Sequence, residues 1–126
     1  MFHWLAERLK AVGRAPTRIV AVEADEHGML LTRSEGEDLG LLWSDVARVA
    51  GYKRDLFTLN SIVIEFERVD GTSIWSWEED QAFHEVVAAA ERYLPGFPPY
   101  DAWYAVVVLP PMETRRHTLW GEPTPD

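Results

Sequence analysis

The chain of 126 residues contains no cysteine. This absence excludes a disulfide framework, a thiolate zinc site and a cysteine nucleophile. Small secreted domains of this length often depend on disulfides for stability, so a cysteine-free chain favours an intracellular, cytoplasmic location.

Basic residues are scarce relative to acids, because twelve Lys and Arg stand against twenty-one Asp and Glu, for a net charge of -9. This charge repels polyphosphate backbones and anionic membrane surfaces at long range, so we expect no nucleic-acid partner. The longest apolar run, residues 102–111, is also much shorter than the roughly 20 residues that a membrane span needs. We therefore expect no membrane insertion.

The motifs that usually carry chemistry are missing as well. The sequence has no GxGxxG or GxxxxGK[ST] phosphate loop, no GxSxG elbow, no HExxH and no EF-hand loop. Asp80 and His84 have a spacing at which one helix face can grip a metal ion, but His3, His27 and His117 have no companion carboxylate at ligand spacing. We expect no enzymatic activity, no metal site and no cofactor.

Hydrophobic residues make up 47% of the chain and charged residues 26%, which is the balance of an ordinary folded protein. The length suits one domain over residues 1–126. An amphipathic pattern predicts an N-terminal helix over 1–13. We expect a sheet with a capping helix over 17–95 and a C-terminal extension over 97–126.

Short alternating or β-branched segments between turn residues predict about six strands. These segments are 18–23, 29–32, 39–43, 46–54, 61–68 and 72–77. Glu65 and Glu67 alternate with apolar residues, which indicates a strand buried on one side only, and Asp70-Gly71 after it predicts a hairpin.

The clearest helix is predicted at roughly 78–94, with a capping box at 76–79 and a stop at Pro95-Gly96. Residues 103–109 fit either an edge strand or a helix, and the helix is favoured because Pro110 would end it. From Gly121 onward we expect a frayed tail.

The passage Leu41–Val49, with its tryptophan and aspartate, resembles one that is common in bacterial pleckstrin-homology-like and GRAM-like sheets, and residues 62–71 resemble their next hairpin. The resemblance covers residues 17–95 and implies a strongly bent antiparallel sheet or partly open barrel of about six strands, capped by a helix. With the terminal helices that the residue patterns predict outside it, we expect an α+β fold. The resemblance also implies a binding scaffold without catalysis. Phosphoinositide binding is not carried over, because the turn at 25–28 is acidic.

Two surfaces are candidates for partner binding. The first is an acidic face that would attract a basic partner, made of Glu65, Glu67, Asp70, Glu78, Glu79 and Asp80. We expect its last three members in the first turn of the helix, where acids are favourable. The second is formed by Trp75 and Trp77, which must share one side of a strand. They either pack under the helix, which is favoured, or form an exposed aromatic platform.

The leading hypothesis is a non-catalytic intracellular binding module that engages a protein or peptide through the acidic or the aromatic surface. One alternative is an immunity-type inhibitor that neutralises a basic toxin, motivated by small size, absent cysteine and the charge of -9. A second alternative is a domain that binds a small ligand between sheet and helix. A homodimer built on an edge strand or on residues 106–108 stays open.

Overall fold

The computed structural model describes residues 18–55, 60–108 and 116–123. They form two antiparallel sheets and two α-helices, so the predicted α+β class is confirmed. The strands are β1 (Ile19–Ala24), β2 (Gly28–Arg33), β3 (Leu39–Leu42), β4 (Val46–Asp55), β5 (Asn60–Arg68), β6 (Ser73–Trp77) and β7 (His117–Gly121). The helices are α1 (Phe83–Tyr93) and α2 (Tyr100–Val108), and a short 3-10 turn spans Trp43–Asp45. The helix predicted over 1–13 lies outside the described residues.

The first sheet has the order β1-β2-β3. Its β1–β2 turn is held by Asp25, whose Oδ1 accepts hydrogen bonds from the backbone N–H groups of His27 at 2.8 Å and Gly28 at 3.2 Å. Gly28 has no room for a side chain, because a Cβ there would lie 2.2 Å from the carbonyl oxygen of Leu41 on the neighbouring strand. The turn and the close strand approach therefore depend on one glycine.

The second sheet has the order β6-β5-β4-β7. The hairpin predicted at Asp70-Gly71 is confirmed, because Asp70 Oδ1 accepts hydrogen bonds from the backbone N–H and the hydroxyl of Thr72 at 2.9 and 2.6 Å. Gly71 has a φ of 91°, in the left-handed region that glycine adopts readily. The strand β7 was not predicted; it pairs antiparallel with β4 and ends at Gly121, where only a frayed tail was expected.

The helix α1 begins later than predicted. Ser76, expected to cap it, is instead part of β6, where it pairs with Ile64 of β5. Ser76 and Trp77 match a helix-start motif but belong to a strand, because they pair with β5. Residues 78–80 lie in the connection between β6 and α1. The second helix, α2, confirms the helical interpretation of the segment around 103–109 and buries Trp103 and Val107.

The sheets and helices enclose one apolar core. Its most deeply buried side chains are Leu31, Val49, Ile62, Ile64, Phe66, Phe83, Val86, Ala90 and Leu94. One bent sheet or partly open barrel of about six strands was expected; the described residues form seven strands in two antiparallel sheets, of three and four strands, and no closed barrel. Within the described ranges, no helix is long and apolar enough to cross a membrane.

Phe66 of β5 is fully buried against this core. We expect Phe66→Ala to lower the free energy of unfolding by about 3–5 kcal/mol, because it removes buried surface and leaves a cavity. The matched control is Val69→Ala, since Val69 is 70% exposed just beyond the same strand and its loss should change stability by less than about 0.5 kcal/mol. Urea denaturation measures both, and equal losses in the two variants would contradict this assignment of the core.

Candidate functional site

The outer face of the second sheet presents a groove of aromatic and charged side chains. Successive side chains of a strand point to opposite faces, so residues with the same parity share this face. Glu65 pairs with Trp75 across β5 and β6, and Trp77 follows two residues later. We call this surface the outer groove; its lining residues are Tyr52, Arg54, Glu65, Trp75, Trp77 and Arg116.

Glu65 lies at the centre of the outer groove, and its side chain is only 8% exposed. Its Oε1 accepts hydrogen bonds from the Tyr52 hydroxyl at 3.2 Å, Trp75 Nε1 at 2.9 Å and the Arg116 guanidinium at 2.8 Å. Its Oε2 accepts a hydrogen bond from the Ser73 hydroxyl at 2.8 Å. A charge taken out of water needs such partners, so these four donors make the buried carboxylate tolerable.

The electrostatics of Glu65 follow from these contacts. Burial by itself raises the pKa of Glu65, but the hydrogen bonds from Arg116, Ser73 and Trp75, with the positive charge of Arg116, outweigh it and lower the pKa below its usual range. In return, the hydrogen bond to Glu65 raises the pKa of Arg116, although burial opposes the shift. The pair is therefore ionised on both sides at neutral pH.

Two arginines stack on the aromatic rings of the outer groove. The Arg54 guanidinium carbon lies 4.7 Å from the centroid of the Trp77 ring, and that of Arg116 lies 5.1 Å from the Tyr52 ring. Burial, followed by the negative charge of Glu65, raises the pKa of the Tyr52 hydroxyl. Tyr52 is thus a neutral donor at neutral pH.

Trp75 is the most accessible aromatic residue of the outer groove, at 49% exposure, and Trp77 is half-buried. The expectation that both indoles pack under the helix is wrong. Trp75 and Trp77 share one side of β6, as predicted. The opposite side, with Ile74 and Ser76, is the buried one. The rings border an open cavity of about 470 Å³.

Two of the candidate acids, Glu67 and Asp70, lie along the β5–β6 hairpin and are bonded to residues of the protein itself. Glu67 forms an ion pair with Arg48 of β4, and both side chains are largely covered. Asp70 is exposed, but its carboxylate holds the turn through Thr72, and those hydrogen bonds lower its pKa. Neither residue lines the outer groove.

The other three candidate acids, Glu78, Glu79 and Asp80, lie in the connection before α1, not in its first turn. Glu79 accepts a hydrogen bond from the hydroxyl of Ser61. The charge of Glu78 contributes, after burial, to raising the pKa of Tyr104 on α2. The predicted acidic face is therefore divided: Glu65 is inside the outer groove, and the remaining acids lie along the hairpin and the connection.

Asp80 has a structural role at the edge of the second sheet. Its Oδ2 accepts hydrogen bonds from the Trp77 N–H at 3.0 Å and the Ser76 hydroxyl at 2.9 Å, and its own N–H donates to the Trp77 carbonyl at 2.8 Å. Burial raises its pKa despite these bonds and the Arg18 guanidinium at 3.9 Å. Because the backbone of Trp77 faces the open edge of β6, Asp80 closes that edge to further strand pairing at Trp77.

Asp80 and His84 do not form the pair that their spacing suggested. Asp80 precedes the helix and is buried, whereas His84 is exposed on α1 and stacks on Tyr100, with ring centroids 5.5 Å apart. Over residues 18–55, 60–108 and 116–123, no group of three or more His, Asp or Glu side chains could hold a metal ion.

Three lining residues of the outer groove, Tyr52, Arg54 and Arg116, were not predicted as site residues. Tyr52 and Arg54 are two apart on a predicted strand, and this spacing was a usable signal that they share a face. Arg116 comes from the tail just before β7, 51 residues from Glu65, and no local pattern points to it.

No protein-family model, curated protein or solved structure matches the chain. The chemistry of the outer groove is therefore the basis for any functional inference.

The lowered pKa of Glu65 predicts a pH dependence. The folded state binds this proton less readily than the unfolded chain, so the stabilisation is complete above about pH 4.3, the ordinary glutamate pKa, and is lost as the pH falls through the lower folded value. We expect Glu65→Gln to lower the free energy of unfolding at neutral pH by about 1–3 kcal/mol, and this deficit to shrink in acid.

Urea denaturation across the acidic range measures this effect. Glu23→Gln is the matched control, because Glu23 is an exposed carboxylate on β1 of the other sheet, away from the outer groove, and it should follow the wild-type curve. A deficit in Glu65→Gln that stays constant down to the most acidic point would show that the charge of Glu65 contributes nothing.

Proposed function

We propose that the protein is a non-catalytic, cytoplasmic binding module that engages a protein or peptide through the outer groove. The single observation that carries the proposal is the exposed Trp75 ring, held in place by the hydrogen bond from its Nε1 to the buried Glu65. Half of a large apolar side chain is thus presented to solvent in one fixed orientation.

The composition of the outer groove supports a macromolecular partner. Trp, Tyr and Arg are the residues that most often dominate the binding energy of protein interfaces, and this groove contains all three types. Its rings and guanidinium groups are ordered by contacts with Glu65 and with one another. Ordering in the free protein lowers the entropy cost of binding, which favours affinity for a partner.

The fold is consistent with this proposal. Antiparallel sheets followed by an amphipathic helix agree with the element order of the pleckstrin-homology-like resemblance, and we include that scaffold in the proposal. The absence of cysteine supports the cytoplasmic location. The alternative of a toxin inhibitor draws support from the net charge of -9, but the six candidate acids are divided between the outer groove, the hairpin and the connection before α1.

Replacement of the exposed ring tests the proposal. We expect Trp75→Ala to abolish or weaken by at least about tenfold the recovery of peptides that the wild-type protein selects from a displayed random-peptide library, because interface tryptophans are frequent hot spots. Its fold should persist, since Glu65 keeps its other three donors. The unfolding midpoint in urea verifies this.

The matched control is Leu42→Ala, which removes an exposed apolar side chain, 53% accessible, from β3 of the other sheet. This variant should select the same peptides as the wild type. Failure of the wild type to select anything above the Trp75→Ala background would overturn the proposed function, as would an equal loss in Leu42→Ala.

A further inference from the structure

Arg54 differs from the other arginines of the second sheet. Arg48 and Arg116 are each paired with a carboxylate, and Arg68 donates to the Gly40 carbonyl at 2.9 Å. Arg54 is exposed, and among the described residues no carboxylate lies within ion-pair distance of it. Its guanidinium group lies over the Trp77 ring in a cation–π contact.

Among the described residues, no hydrogen bond is donated by the Arg54 guanidinium, so its N–H donors are available beside the cation–π contact with Trp77. A guanidinium group on an aromatic ring uses its flat face, whereas its five N–H donors lie in the plane and point outward. A carboxylate can meet two of those donors side by side, which is the geometry of the strongest arginine contacts. The ring of Trp77 thus fixes a donor edge at the rim of the outer groove.

The charge of the outer groove favours the same ligand chemistry. Two guanidinium groups and one carboxylate line it, and Arg116 is already paired with that carboxylate, Glu65. Among the residues that line the outer groove, the positive charge of Arg54 is therefore left over; outside the lining, Glu79 is bonded to Ser61, the cross-strand partner of Arg54, and forms no ion pair with Arg54. The groove is complementary to an acid, and not to the basic partner that the composition alone suggested.

Resting on the proposed function, we propose that the outer groove binds an acidic segment of a partner protein, with a carboxylate paired to Arg54 and an adjacent apolar side chain covering Trp75. The two anchors, Arg54 and Trp75, lie on one face of the sheet. The Arg54 guanidinium lies over Trp77, and Trp75 is two residues before Trp77 on β6. A segment with an acidic and an apolar side chain in close succession satisfies both.

Two displayed peptide libraries of equal design test the proposal. In one, the only charged residues are Asp and Glu; in the other, they are Lys and Arg. We expect the wild-type protein to recover at least about tenfold more binders from the acidic library. For recovered peptides made synthetically, Arg54→Gln should weaken the measured Kd by about tenfold or more, as should replacing the peptide acid by its amide.

The matched control is Arg92→Gln. Arg92 is also exposed and its guanidinium carbon lies 5.5 Å from the Tyr93 ring, but it is on α1, outside the outer groove. This variant should bind the recovered peptides as the wild type does. Urea midpoints for both variants separate loss of binding from loss of folding.

The other outcomes are distinguishable. Recovery of basic peptides that depend on Trp75 would overturn this inference and leave the proposed function standing. Acidic peptides that bind Arg54→Gln as tightly as the wild type would do the same. If neither library yields binders that depend on Trp75, the inference and the proposed function both fall.

Discussion

Glu65 places a carboxylate in β5, an interior strand of the second sheet, where its side chain is almost fully covered. An ionised group in this position is costly unless every lone pair has a donor. The donors come from Tyr52 on β4, Ser73 and Trp75 on β6, and Arg116 before β7. One buried charge therefore fixes side chains from three neighbouring segments, and the shape of the outer groove depends on it.

Six of the seven described strands could be predicted to within one residue at each end, because alternating or β-branched segments between turn residues mark them, whereas β7 was not predicted. The expectation that the segment with Glu65 and Glu67 is buried on one side only was wrong, because β5 is buried on both faces over residues 61–66. The hairpin at Asp70-Gly71 was also predictable from the sequence, because the turn residues themselves determine its geometry. The start of α1 was not predictable from the same local information. Ser76 and Glu79 satisfy the helix-start pattern, but the pairing of Ser76 with Ile64 takes precedence.

The candidate site was predictable only in part, and for a similar reason. Alternation shows that Glu65, Trp75 and Trp77 occupy defined faces, but it does not tell which face meets the core. That outcome depends on which side α1 and α2 cover. The interpretation of Glu65 as a free surface acid failed because its partner Arg116 is distant in sequence, and contacts of this kind leave no local pattern.

The position of Arg54 also bears on the kinetics of any encounter with an acid. At physiological ionic strength, charges farther apart than the Debye length of about 8 Å are largely screened, so the net charge of -9 repels a carboxylate only weakly until the carboxylate comes close to the surface. Within contact distance, the nearest charge is the guanidinium on the Trp77 ring, and the sign of the interaction reverses. Under the proposed binding of an acidic segment, the net charge lowers the association rate, whereas the contact with Arg54 exists only in the bound complex and acts mainly on the dissociation rate.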